Sequence, residues 1–234
     1  MVRVCALACL MCGFLSSWAL AQAPADPPPI SVDLFNGKNF DGWVFYPEFA
    51  TQKLEEAWKI ENGVLRCSGQ GRNYLRTVMP YADYRLELEW RWTAQAGNSG
   101  VMLHIVNQDV IWPKSVEAQL QANHAGDFYL FSDTRSPEEL VARNPNGVST
   151  GRLVRKGPSL EKPAGEWNKY EILVEGATIT LHVNGQYANK ISNITPSAGM
   201  IGLQAEGTPI EFRNVKLMTL PPLKNLRAPL PPAN

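Results

Sequence analysis

The chain has 234 residues, 22 lysines and arginines against 22 aspartates and glutamates, and 44% hydrophobic residues. That balance leaves no electrostatic footprint for nucleic acid or for an anionic membrane surface. The length suffices for one domain whose core needs no staples, and a neutral partner such as a sugar suits the charge.

Met1-Val2-Arg3 precedes an apolar run from Val4 to Leu20, and Ala19-Leu20-Ala21 or Ala21-Gln22-Ala23 offers a small-x-small cleavage site. One early positive charge, an apolar centre and that site read as a cleavable signal peptide over residues 1–23. The mature protein is expected in the periplasm or secreted, with no membrane attachment once the leader is removed. Cys5, Cys9 and Cys12 leave with it, so Cys67 alone remains. No intrachain disulfide, cysteine metal site or disulfide-linked partner is expected. Residues 24–30 form a Pro-rich linker and residues 221–234 a Pro-rich tail, which bracket a domain over 31–220.

Within that domain nearly every segment reads as strand. Ser31–Phe35 is short and alternating, and the turn-rich Asn36-Gly37 and Asp41-Gly42 pairs follow it. Trp58–Glu61, the Asn62-Gly63 turn and Val64–Cys67 predict a hairpin. Tyr84–Trp92 alternates Leu86, Leu88, Trp90 and Trp92 against Arg85, Glu87, Glu89 and Arg91, as a strand with one wet face must. Gly97-Asn98-Ser99-Gly100 is a tight turn into Val101–Val106. Strands are also expected at Tyr170–Val174, Thr178–Val183, Met200–Ala205 and Ile210–Leu217, where a change of apolar parity near Arg213-Asn214 predicts a bulge. Short turns of helix are expected near Lys53–Ala57 and Pro137–Arg143, and Phe131–Gly165 reads as a long polar loop. Alternating strands without crossover helices predict an all-β fold, an antiparallel β-sandwich.

The central strand lies within Ser115–Asp127. Val116, Ala118 and Leu120 alternate with Glu117, Gln119 and Gln121, so one face is apolar and the other carries an acid among amides. Such a row suits a sugar-binding groove, with many donors and acceptors and one titratable group; a solvated outer strand would show the same alternation.

Several of these stretches together resemble a known family. They are Leu34-Phe35-Asn36-Gly37-Lys38 through Asp41-Gly42-Trp43, Trp58-Lys59-Ile60-Glu61-Asn62-Gly63-Val64-Leu65, Gly97-Asn98-Ser99-Gly100-Val101 and Glu117-Ala118-Gln119-Leu120. Gly165-Glu166-Trp167-Asn168, Val183-Asn184-Gly185, Gly202-Leu203-Gln204-Ala205-Glu206-Gly207 and Glu211-Phe212-Arg213-Asn214-Val215 follow in order. In order and spacing the chain resembles the 3-keto-disaccharide hydrolase family across residues 31–220. The resemblance implies a jelly roll of the concanavalin A-like lectin/glucanase type, export from a bacterial cell, and action on 3-keto glycosides.

A ketone at C3 acidifies the C2 proton, and removing that proton can expel the C1 substituent by elimination. The resulting 3-keto-2-hydroxyglucal can then add water. This route needs one base, a group that stabilises the enolate and an acid for the leaving group, whereas ordinary glycosidases need a carboxylate pair. Glu117 is the first candidate base, with an orienting role as the alternative. His104 follows Met102 by two and could be base, enolate stabiliser or metal ligand. Glu206 shares a face with Gln204 and is a second candidate acid if that face lines the groove, or a surface ion pair with Arg213 or Lys216. Gln119, Gln121, Asn98, Trp112, His124, Asp127, Lys162 and Gln204 are the candidate substrate contacts. His104, Glu117, His124 and Asp127 could also supply ligands to a divalent metal, at a spacing that matches no recognised metal motif. A non-catalytic carbohydrate-binding module using the same groove is the competing reading.

Overall fold

The computed structural model describes residues 28–106, 109–132, 134, 136 and 149–221. Fifteen strands and one helical turn follow in chain order among them: β1 (Ser31–Asp33), β2 (Trp43–Pro47), α1 (Leu54–Ala57), β3 (Trp58–Glu61), β4 (Val64–Cys67), β5 (Arg72–Thr77), β6 (Tyr84–Trp92) and β7 (Gly100–Val106). Then come β8 (Lys114–Gln119), β9 (Phe128–Phe131), β10 (Ser149–Leu153), β11 (Asn168–Glu175), β12 (Thr178–Val183), β13 (Gln186–Ile191), β14 (Met200–Glu206) and β15 (Ile210–Thr219). The signal peptide, the helical turn expected at Pro137–Arg143 and nearly all of the Pro-rich tail lie outside the described residues.

These strands make two antiparallel sheets. One runs β13-β12-β11-β6-β15-β4-β3 with β1 on β15, and the other runs β10-β9-β8-β7-β14-β5-β2. The alternation explains the packing: Leu86, Leu88, Trp90 and Trp92 of β6 face Val101 and Leu103 of β7, Val116 and Ala118 of β8, and Leu203 and Ala205 of β14 across one core. The expected hairpin pairs Trp58 with Cys67 and Glu61 with Val64. The predicted bulge is present too, since β15 shifts register against β6 between Arg213 and Lys216, with Asn214 at φ 53°. Part of the expected Phe131–Gly165 loop is instead an edge strand, β10, which pairs with β9.

The sheets are also joined by polar bonds through the core. Trp58 of β3 donates its indole N–H to Asn73 Oδ1 of β5 at 2.7 Å, both groups being buried. Phenylalanine at 58 keeps most of the apolar burial but strands the Asn73 oxygen. Urea denaturation of Trp58→Phe should show a loss of about 1–3 kcal/mol; unchanged stability would mean that the bond contributes nothing.

Candidate functional site

The second sheet turns one face to the core, so its other face is free to build a site. Cross-strand pairing lays residues across that face in rows. One row runs Arg76, Gly202, Met102, Glu117, Tyr129 and Arg152. The next row, two residues along each strand, runs Tyr46, Tyr74, Gln204, Gly100 and Gln119. A further step brings Arg72 opposite Glu206, whose carboxylate takes a 2.6 Å bond from Asn98 Nδ2. Arg72 is itself held by Glu48, through Nε at 2.9 Å.

Glu117 is the most constrained of these side chains. Its carboxyl lies over Gly100, where an added Cβ would collide with Oε1 and the carboxyl carbon. The residue is 2% exposed, and Oε1 takes no hydrogen bond from the protein. Gln204 Oε1 and Asn98 Oδ1 are likewise buried acceptors without donors. Buried polar atoms are normally paired, so these three oxygens can accept donors that the protein does not itself supply. Sugar hydroxyls are donors of that kind.

The electrostatics follow from the burial. Desolvation, and then the nearby charge of Glu206, raise the Glu117 carboxyl well above the usual carboxylate range. Glu206 is raised as well, again chiefly by desolvation, against the opposing pull of Arg72. Burial also raises the Tyr129 hydroxyl, with Arg152 opposing and Glu117, Asp127 and Glu206 adding to the shift. One phenol thus senses all of these charges, which places them in a single electrostatic neighbourhood.

At one end of the face Asp109–Pro113 closes over the sheet. Asp109 grips Arg76 with two bonds of 2.7 Å, the Tyr74 hydroxyl donates to the Val110 carbonyl at 3.2 Å, and Trp112 stacks on Phe131 at 5.4 Å. Beneath this segment Tyr74, Met102 and Ile105 form a small apolar cluster separate from the main core. At the other end Asp127 accepts bonds from Arg152 Nε at 3.1 Å and from the Arg155 backbone N–H at 2.6 Å. The Arg152 guanidinium meets His124 Nδ1 at 2.9 Å and lies over the Tyr129 ring.

A family model of the 3-keto-alpha-glucoside-1,2-lyase-like domain matches residues 31–218. The chain belongs to this family. A 3-keto-disaccharide hydrolase of Bacteroides thetaiotaomicron is 23% identical over 241 residues, covering 85% of this chain and 81% of the relative. Among solved structures, a Parabacteroides distasonis protein provisionally assigned as a glycosyl hydrolase superposes with a TM-score of 0.60 at 21% identity, over 81% of this chain and 94% of that one. The Bacillus licheniformis β-glucanase gives 0.52 at 13% identity, over 83% and 99%. These likenesses confirm a β-sandwich of the lectin/glucanase type.

In this lyase-like domain the candidate residues divide clearly. Glu117, Gln119, Gln204, Glu206 and Asn98 share the groove face, while Trp112, His124 and Asp127 stand at its two ends. Gln119 spends its Oε1 on the backbone N–H groups of Leu120 and Gln121, at 2.8 and 2.7 Å, and so finishes the strand. Gln121 lies beyond that end, half-buried in the following turn, and does not extend the row.

His104 is a correction. An extra residue enters β7 between Leu103 and Val106, and His104 takes φ 55° there. Ile105 therefore joins Met102 on the groove side, and the imidazole turns to Pro196, with Nδ1 3.0 Å from its carbonyl. Burial pushes its pKa down to about 4, against the pull of that carbonyl and Asp83. Lys162 is also elsewhere: it is exposed, with Nζ on the Trp167 carbonyl at 3.0 Å beside the first sheet. The four-residue metal set does not converge, and no group of three His, Cys, Asp or Glu suited to a metal occurs among the described residues. Sequence reasoning missed Tyr129 and Arg152; only the register of β9 and β10 against β8 could have pointed to them.

A carboxyl whose folded pKa is raised adds stability that is complete below its unfolded pKa and is lost as pH rises through the folded value. Wild type should therefore weaken across that rise, whereas Glu117→Gln, neutral throughout, should not share this term. Denaturation at about pH 4 and about pH 8 should show the variant gaining on wild type at the higher pH; a pH-independent difference would contradict the burial of an ionisable carboxyl.

Proposed function

We propose that this protein is an exported enzyme that cleaves 3-keto glycosides by removing the C2 proton, expelling the C1 substituent and adding water to the resulting glucal. The observation that carries the reading is the Glu117 carboxyl, buried over Gly100 with an oxygen that no protein donor reaches. A base that must take a proton from carbon gains driving force from a raised pKa, and burial beside a second carboxyl supplies that rise. Membership of the lyase-like family and the likeness to a 3-keto-disaccharide hydrolase support the substrate class.

Roles follow from position. Glu117 accepts the C2 proton. Arg152, held by Asp127 and leaning over Tyr129, is the cation available to stabilise the enolate oxygen as its charge develops. Glu206, bonded to Asn98, holds the Glu117 pKa up through its charge, and the proton that Glu117 takes from C2 is the one available to the departing oxygen. Gln204 Oε1 and Asn98 Oδ1 receive hydroxyl donors from the ring. The signal peptide expected over residues 1–23 would deliver the enzyme to the periplasm or the medium, where the single mature cysteine is harmless: burial pushes the Cys67 thiol up to about 12.

A binding module on the same scaffold is the competing reading, since a carbohydrate-binding module, CBM66 of Bacillus subtilis, shares the fold with a TM-score of 0.55 at 14% identity, over 76% of this chain and 96% of that module. The raised pKa of Glu117 favours chemistry, because proton abstraction makes use of it and binding does not. Assay of purified protein on a 3-keto-glucoside and on its unoxidised parent separates the two. Turnover of the oxidised sugar alone is expected, with Glu117→Gln slower by about 10²–10⁴-fold; binding without turnover of either would establish the module.

The pH profile carries a further test. A base works deprotonated, so kcat/KM should rise with pH along a limb set by Glu117 above the usual carboxylate range. Because the Glu206 charge contributes to that elevation, Glu206→Gln should move the limb to lower pH. A limb that stays in place would remove Glu117 or its coupling to Glu206 from the account.

A further inference from the structure

The outer face of the first sheet, on the opposite side of the sandwich from Glu117, carries a cavity of about 480 Å³. Its floor is the Glu211 carboxylate, 2% exposed and held by Arg66 Nε at 3.1 Å and Arg91 Nε at 2.5 Å. Cys67, Thr93, Gly165 and Pro209 complete the wall. Trp167 stands alongside, its ring 4.6 Å from the Arg91 guanidinium and 4.0 Å from that of Arg213. Arg213 is in turn fixed by Glu89 at 2.5 Å.

This arrangement is more than a solvated charged face. Register places Glu211 opposite both Arg66 and Arg91, so one carboxylate orients two guanidiniums and commits only one N–H of each. Arg66 spends another on Glu61 at 3.1 Å. Arginine has five N–H donors in a rigid fork, and Arg91 keeps most of its own for a ligand in the cavity. The lining itself carries Arg66, Arg91 and Glu211, and Glu61, outside the cavity, balances the remaining positive charge through its ion pair with Arg66. A volume of this size lies in the range of small-ligand sites. The Trp167 indole, half-buried and outside the lining itself, rests on two guanidiniums, of which that of Arg91 lines the cavity.

We infer that this cavity is a second saccharide site, which takes a neutral pyranose unit with hydroxyls on Arg91, Arg66 and Thr93 and its apolar face against Trp167. It would hold a glycan to the protein while the groove on the other sheet works independently. The inference goes beyond the groove chemistry, and its test reads binding rather than turnover, so each can fail alone.

The test is a titration of ¹⁵N-labelled protein with cellobiose, maltose and glucuronate, following the indole N–H signal assigned with Trp167→Phe. A saturable shift of that signal with at least one neutral disaccharide, and weaker binding of glucuronate, is expected. Thr93→Trp, at an exposed position on the cavity wall, should abolish the shift while 3-keto-glucoside turnover stays within about twofold. A Trp167 signal that no neutral saccharide moves, one that still moves in Thr93→Trp, or tighter binding of glucuronate would each overturn the proposal.

Discussion

Everything proposed for the groove depends on one close approach: the Glu117 carboxyl resting where a side chain at residue 100 would have to be. Glycine at that position lets β7 pass beneath an acid that β8 presents. The same approach takes the acid out of water. Desolvation without a compensating donor is expensive, and a folded protein keeps such an arrangement only where the rest of the structure enforces it. Here the enforcement comes from the core, because Val101, Val116 and Ala118 on the reverse of these strands are completely buried and fix the register.

The groove combines groups that no single strand could carry. β8 gives Glu117, β14 gives Glu206 and Gln204, the turn before β7 gives Asn98, and β9 with β10 gives Tyr129 and Arg152. Burial raises both carboxyls, and the charge of Glu206 raises Glu117 further. Arg152 is placed by Asp127, so the acid nearest the groove mouth acts by positioning a cation. Three acceptors here, Glu117 Oε1, Gln204 Oε1 and Asn98 Oδ1, have no protein donor.

Much of this was legible in the residues. The strict alternation of Tyr84–Trp92 and the Asn62-Gly63 hairpin specify their strands because a period of two and a positive φ have few other solutions. The parity change at Arg213-Asn214 marked its bulge for the same reason. His104 was not legible, because the apolar residues around it conceal a parity change: Met102, Leu103 and Ile105 are all buried, two on the groove face and one in the core. Gln121 failed differently, since the end of β8 is set by the Gln119 side chain capping its own successors. Lys162 follows a segment whose path is fixed by Asn168 and Asn184, which bond to each other and to that loop. Such tertiary polar contacts leave no periodic trace. Tyr129 and Arg152 become partners of Glu117 only through pairing across three strands, one of them formed by a stretch that reads as loop.

The central claim is that Glu117 takes a proton from carbon, and the most direct measurement is the isotope effect on kcat/KM for a 3-keto-glucoside deuterated at C2. The account predicts a primary effect, because proton abstraction by Glu117 would break the C2–H bond. Turnover with no isotope effect at C2, and no exchange of that position with solvent deuterium, would contradict it.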